Sequence, residues 1–110
     1  MKTFRLKSDR FRKARGGTAR LVNIVCNKCG TQVLVYQKDG MGRLLRCYLD
    51  RIFAPLELER LQHDVYVREP RDLQPLVCRA CDAILGVPIR HHSGRLGFRL
   101  LQGAFFKEKA

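Results

Sequence analysis

The feature that most constrains this chain is a pair of Cys-x-x-Cys knuckles set far apart: Cys26-Asn27-Lys28-Cys29-Gly30 and Cys78-Arg79-Ala80-Cys81-Asp82. Each knuckle offers two sulfurs from one tight turn, and four thiolates complete a closed tetrahedral site for zinc. Strand-like runs flank both, residues 21–25 before the first and 83–85 after the second. The spacing therefore predicts two β-hairpin tips pinched on one ion. The expected ligands are Cys26, Cys29, Cys78 and Cys81 and the expected cofactor is Zn2+, with iron in a rubredoxin-like centre as the other metal for the same donors. Four reduced or disulfide-bonded cysteines are the bland reading, which weighs less because no hydrophobic signal-peptide core follows Met1.

The metal site explains how so small a chain can fold. A chain of 110 residues has room for one domain, and domains this small bury little surface and often use a metal as a staple. Closing the loop of about fifty residues between Cys29 and Cys78 removes unfolded-state entropy, so the metal-free chain is expected to be largely unfolded or molten. No apolar run is long enough to span a bilayer, and free thiols suit a reducing compartment, so the expectation is a cytoplasmic protein with no membrane partner.

Charge points to the partner. Lys and Arg number 22 against 10 Asp and Glu, a net +12, which favours a polyanion, most simply nucleic acid. Residues 1–20 read as a basic N-terminal arm and 21–110 as the zinc-binding β domain, with Gly16-Gly17 at the boundary. The arm carries Lys2, Arg5, Lys7, Arg10, Arg12, Lys13, Arg15 and Arg20 against the single acid Asp9. Arginine suits bidentate phosphate contacts, and the interleaved Phe4 and Phe11 suit base stacking. The bland reading is a solvated arm without a target; an Arg-rich mitochondrial presequence weighs less, since the segment is short of serine.

Along the domain the fold class reads as mainly β: a small, zinc-stapled, antiparallel single domain, β-tent or zinc-ribbon-like, with one short helix. Residues 31–36 are β-branched and aromatic-rich. Lys38-Asp39-Gly40-Met41-Gly42 predicts a hairpin turn with a return strand over 43–53. Pro55 opens the helix, over 55–62, and 63–67 reads as a short strand. Residues 83–90 form a strand in which Pro88 marks an edge or a bulge, and 95–101 alternate well. The lone Cys47 reads as a small core hydrophobe.

Beyond spacing, the knuckles, Arg46-Cys47-Tyr48-Leu49-Asp50, Cys78-Arg79-Ala80-Cys81-Asp82-Ala83-Ile84-Leu85-Gly86 and Gly97-Phe98-Arg99-Leu100 resemble the Yippee family of zinc-binding proteins over roughly residues 21–106. The resemblance implies the β-tent fold shared with the ligand-binding domain of cereblon and with methionine sulfoxide reductase B, and it implies metal roles for Cys26, Cys29, Cys78 and Cys81. Val87 stands where that family has Trp, and Ile89-Arg90-His91 where it has Tyr-Glu-His.

Three functions follow. The first is a nucleic-acid-binding protein, structured RNA foremost and ribosome-associated as its setting. Its contacts are Arg5, Lys7, Arg10, Arg12, Lys13, Arg15 and Arg20 from the arm and Arg43, Arg46, Arg90, Arg95 and Arg99 from the domain. RNA leads DNA because no helix reads as a major-groove probe. The second is a β-tent module that binds a protein or small ligand near Tyr36, Tyr48, Tyr66 and Phe98, although such aromatics are more often core. The third is a reductase-type enzyme with Cys47 as nucleophile and His63, His91 or His92 as base. No catalytic constellation accompanies them, so the expectation is no enzyme.

Overall fold

The computed structural model describes residues 4–110, and Lys2 of the basic arm lies outside the described residues. In chain order the elements are α1 (Arg10–Ala14), β1 (Ala19–Cys26), β2 (Gln32–Asp39), β3 (Arg46–Tyr48), β4 (Ile52–Ala54), α2 (Leu56–Glu59), β5 (Leu76–Val77), β6 (Ile84–Arg90), β7 (Leu96–Leu100) and β8 (Phe105–Lys109). Turns of 3-10 helix occupy Leu49–Arg51, Arg60–His63 and Pro70–Asp72. The strands build two antiparallel four-stranded sheets, ordered β4-β2-β1-β8 and β3-β7-β6-β5, so the chain is mainly β as its composition of strand formers predicts.

The β1–β2 hairpin is the longest pairing, running from Ala19 opposite Asp39 to Val25 opposite Gln32, with a bulge between Ile24 and Val25. Its tip is the first knuckle. The second knuckle is the tip of the β5–β6 hairpin, where Leu76 faces Gly86 and Val77 faces Ile84. Pro88 pairs only with Phe98 of β7 and lies beyond the end of β5, which is where a residue without an N–H can sit in a sheet. Strand β7 behaves as its alternation predicts: Phe98 and Leu100 are buried and Arg99 is exposed.

Two expectations fail. Residues 43–53 do not return along β2 as one strand; only their end, in β4, pairs with it. They leave the first sheet, pair with β7 of the second as β3, turn at Leu49–Arg51 and re-enter the first as β4. The burial of Leu44, Cys47, Leu49 and Ile52 explains this, because spacings of three, two and three match no straight strand; a chain that switches sheets at a corner buries them all. Residues 63–67 are not a strand either; Val65 and Tyr66 are both exposed and only Val67 packs on the core, so the segment has no alternating face to bury in a sheet. The helix expected over 55–62 is one short α-helical turn, α2, continued by the 3-10 turn at Arg60–His63.

The core lies between the sheets and includes Ile24, Leu34, Tyr36, Cys47, Ile52, Leu85 and Phe98. On β2 every residue from 33 to 38 is buried, so its second face is also covered. The cover is the N-terminal segment. Phe4 stacks on Phe53 with ring centroids 5.6 Å apart. The Lys7 backbone clasps Gln37 from both sides, its N–H donating to Oε1 at 2.6 Å and its carbonyl accepting from Nε2 at 2.9 Å. At the open end of the hairpin the Gly40 N–H donates to Thr18 O at 2.9 Å.

Gly40 does adopt positive φ, +75°, and a Cβ there would lie 2.8 Å from both Cβ and O of Arg15. Gly40→Val is therefore expected to lower stability by roughly 1–3 kcal/mol through left-handed strain, with this overlap adding to it. An unchanged urea midpoint would mean that the N-terminal segment does not close over this turn.

Candidate metal centre and basic surface

The two knuckles have the same local form. Cys26 N–H donates to Thr31 O and Gly30 N–H to Cys26 O, at 2.9 and 2.8 Å; Cys78 N–H donates to Ala83 O and Asp82 N–H to Cys78 O, at 2.9 and 2.7 Å. Each turn thus closes on its own backbone and turns both sulfurs the same way. It requires a left-handed residue one place after the second cysteine. That residue is Gly30 (φ +78°) in one knuckle and Asp82 (φ +63°) in the other, and aspartate is among the few side chains that tolerate it.

The sulfurs converge. Cys26 Sγ lies 3.6 Å from Cys81 Sγ and Cys29 Sγ 3.5 Å from Cys78 Sγ, and all four lie within 4.8 Å of one another. A tetrahedron with metal–sulfur bonds of about 2.3 Å has sulfurs about 3.8 Å apart, so the four fit the first shell of one metal ion. None is in a disulfide. The electrostatics also call for a cation. The Thr31 hydroxyl and backbone hold the Cys29 thiol down to about 6. At Cys81 the Ala83 backbone pulls the same way, but burial and the three neighbouring sulfurs push it up to about 12. Four thiolates cannot share this space on their own, and a bound dication is what lets all of them ionise.

Cys47 stands apart from this cluster. It is fully buried, and burial pushes its thiol well above the ordinary value, opposite to the shift that makes a nucleophile. Tyr36 and Phe98 are likewise core, whereas Tyr48 is half-buried and Tyr66 is at the surface. His63 is exposed beside Glu59.

The basic residues divide into those engaged in the fold and those facing out. Arg51, which sequence reasoning did not single out, is 1% exposed. It forms a bidentate pair with Asp9 at 2.7 and 3.0 Å and donates Nε to Asp39 at 2.8 Å. Asp9 also caps α1, accepting from the Phe11 and Arg12 N–H groups at 3.0 and 3.1 Å. Lys7 Nζ donates to Gln62 Oε1 at 2.7 Å and to Asp50 O. Arg12 donates to Gly17 O and Arg15 to Met41 O, both at 2.7 Å. Arg95 pairs with Asp50 at 2.8 Å, and Arg90 donates to Arg68 O. Arg5, Arg10, Lys13 and Arg20 are exposed, as are Arg43 and Arg99, while Arg46 is half-buried beside β7. The signals for α1 were in the sequence: Asp9 as N-cap, and Gly16 with Gly17 closing the end through bonds to Lys13 O and Arg12 O.

No protein-family model, characterised protein or solved structure matches this chain. Among the described residues no helix is long and apolar enough to cross a membrane.

Two measurements test this geometry. Serine at Cys26, Cys29, Cys78 or Cys81 is expected to abolish metal retention and cooperative unfolding, whereas Cys47→Ser keeps one metal per chain by elemental analysis. Equal loss in Cys47→Ser would show the ligand set to be wrong. The second concerns Asp9, whose carboxyl the Arg51 guanidinium holds down to about 2. A depressed acid contributes stability that is complete above its unfolded value near 4 and is lost as pH falls towards 2. Asp9→Asn is therefore expected to be less stable than the native chain at pH 6, and the gap between their melting temperatures should close on acidification through that window. A gap independent of pH would mean that the carboxylate charge does not matter.

Proposed function

We propose that this is a small zinc-stapled module that binds nucleic acid, structured RNA foremost, and works without catalysing a reaction. Zinc is the metal that an all-thiolate tetrahedron with no open position serves best, and its role is to hold the fold. A reducing compartment, the cytoplasm, suits four free thiols.

One observation carries the RNA reading. Asp9, the single acid among residues 4–20, is consumed by Arg51, so the charge which that segment turns outward is wholly positive. Arg5, Arg10, Lys13 and Arg20 are exposed and pair with no carboxylate among the described residues. Because the segment is clasped to the first sheet, these cations form a fixed surface, which loses less entropy on meeting a phosphate backbone than a loose arm would. Folded RNA, on the ribosome above all, offers phosphates in matching fixed arrays. Cys47, buried and resistant to ionisation, favours the reading without catalysis.

The second reading is a Yippee-like β-tent module for a protein or small ligand. It is favoured by two sheets that meet at one four-cysteine junction.

The test is a salt titration on a structured RNA. Each phosphate contact contributes about −0.7 to −0.9 to the slope of log affinity against log salt. Replacing Arg5, Arg10 and Lys13 together by Gln is expected to flatten the slope by roughly two to three units with an unchanged melting temperature, since all three are exposed. Identical slopes would overturn the RNA reading and move weight to the β-tent one.

A further inference from the structure

A cleft of about 450 Å³ opens between α1, the corner that leads into β3 and the turn joining β6 to β7. It belongs neither to the cysteine cluster nor to the exposed cations of the N-terminal segment. Five cations line it: Arg15, Lys38, Arg43, Arg46 and Arg95. The one carboxylate on its wall, Asp39, is already paired with Arg51. Of the five, only Arg95 makes an ion pair among the described residues, so Arg15, Lys38, Arg43 and Arg46 bring uncompensated charge to a concave surface. Such a surface focuses a positive field. Burial first, then His92, Arg46 and Arg95, push His91 below the ordinary histidine value.

The other property of the cleft is a row of planar groups. The Arg95 guanidinium lies 3.9 Å from the Phe11 ring centroid and 3.8 Å from that of Tyr48. Tyr48 meets His91 edge-on at 5.5 Å, and His91 lies against His92 at 3.9 Å. Residues more than eighty positions apart are thus held as one continuous band, from Phe11 through Arg95, Tyr48 and His91 to His92. Planar bands of this kind receive flat heterocycles, and arginines beside them receive phosphate. The volume lies within the usual range for small-molecule sites and far exceeds what one phosphate fills.

We propose that this cleft seats a single nucleotide, with its base against the Tyr48–His91–His92 band and its phosphate on Arg43 and Arg46. The site deepens the RNA reading by giving it a place for one unstacked nucleotide, and the same chemistry would take a free nucleoside monophosphate. It differs from the N-terminal surface in kind, because it recognises a base as well as charge.

The test uses the metal-loaded full chain and calorimetric titration with AMP, adenosine, inorganic phosphate and a ten-nucleotide single-stranded RNA. AMP is expected to bind saturably, with adenosine and phosphate each at least tenfold weaker. Arg46→Ala and, separately, the safer exposed-site variant Arg43→Glu should each weaken AMP at least tenfold, while Lys13→Ala, outside the cleft, leaves AMP binding unchanged. A tenfold loss is about 1.4 kcal/mol, in the range of one charge-assisted contact. If the oligonucleotide binds more tightly than AMP with the same sensitivity, RNA is the source of the nucleotide; AMP binding without oligonucleotide binding assigns the cleft to free nucleotides and sinks the RNA reading instead. Three results would overturn the proposal: no saturable AMP binding, phosphate binding as tightly as AMP, or AMP binding indifferent to Arg43 and Arg46. Oligonucleotide binding that persists in both variants with its salt slope intact would overturn it while leaving the N-terminal RNA surface standing.

Discussion

Four thiolates brought within a few ångströms repel one another unless a cation sits among them, and the rest of this structure is arranged around that demand. The two sheets share no strand. They are joined by the crossing chain on either side of β3 and by the two hairpin tips whose cysteines converge. A tip that is rigid by itself, closed by two backbone bonds in each knuckle, delivers its sulfurs with little further ordering. A metal ion held there would tie the first sheet to the second beside the buried Cys26 and Cys78. In so small a domain that junction replaces core which the chain is too short to build.

The opposite end of the β1–β2 hairpin is held by a different device. Arg51 sits at the corner where the chain re-enters the first sheet, and its buried guanidinium is matched by Asp9 from the N-terminal segment and Asp39 from the end of β2. A buried arginine among carboxylates is not evidence of great stability in itself, since desolvation offsets much of the attraction. What it supplies is uniqueness. With Asp9 removed the guanidinium would lose its bidentate partner and keep only Asp39 at 2.8 Å and Asp50 at 3.9 Å, so this placement of the N-terminal segment is the one that satisfies it. The same placement sets Phe11 over Arg95 and Arg15 over Gly40. A segment that composition reads as a loose basic tail becomes one wall of the cleft and part of the cover on the first sheet.

The two ties differ in charge. At the cysteine end the knuckles themselves carry only Lys28 and Arg79 as exposed basic residues. The Arg51 end gathers cations whose acids are engaged elsewhere, so its outward field is positive although the interior is neutralised. A charge of +12 spread evenly would mainly strain the fold; concentrated on one wall and one cleft it gives both a positive outward field.

The metal ligands were legible in the sequence because a Cys-x-x-Cys knuckle is a local object: five residues, closed on their own backbone, need nothing distant to aim two sulfurs. The strands flanking each knuckle and the edge position of Pro88 were legible for the same reason. The return strand expected after Asp39-Gly40 is broken in two, its first part joining β7 and only its end joining β2, since a turn signal says that the chain reverses and not which neighbour it then joins. The choice of partner for residues 43–53 was made by Leu44, Cys47, Leu49 and Ile52 burying in two sheets at once. Asp9 and Arg51 are forty-two residues apart, and nothing local relates them. The sequence by itself determined that the chain would be basic and carry two paired-cysteine turns; only the tertiary structure decided which of its charges were to hold the fold and which were left facing outward, because that depends on which carboxylate each arginine meets.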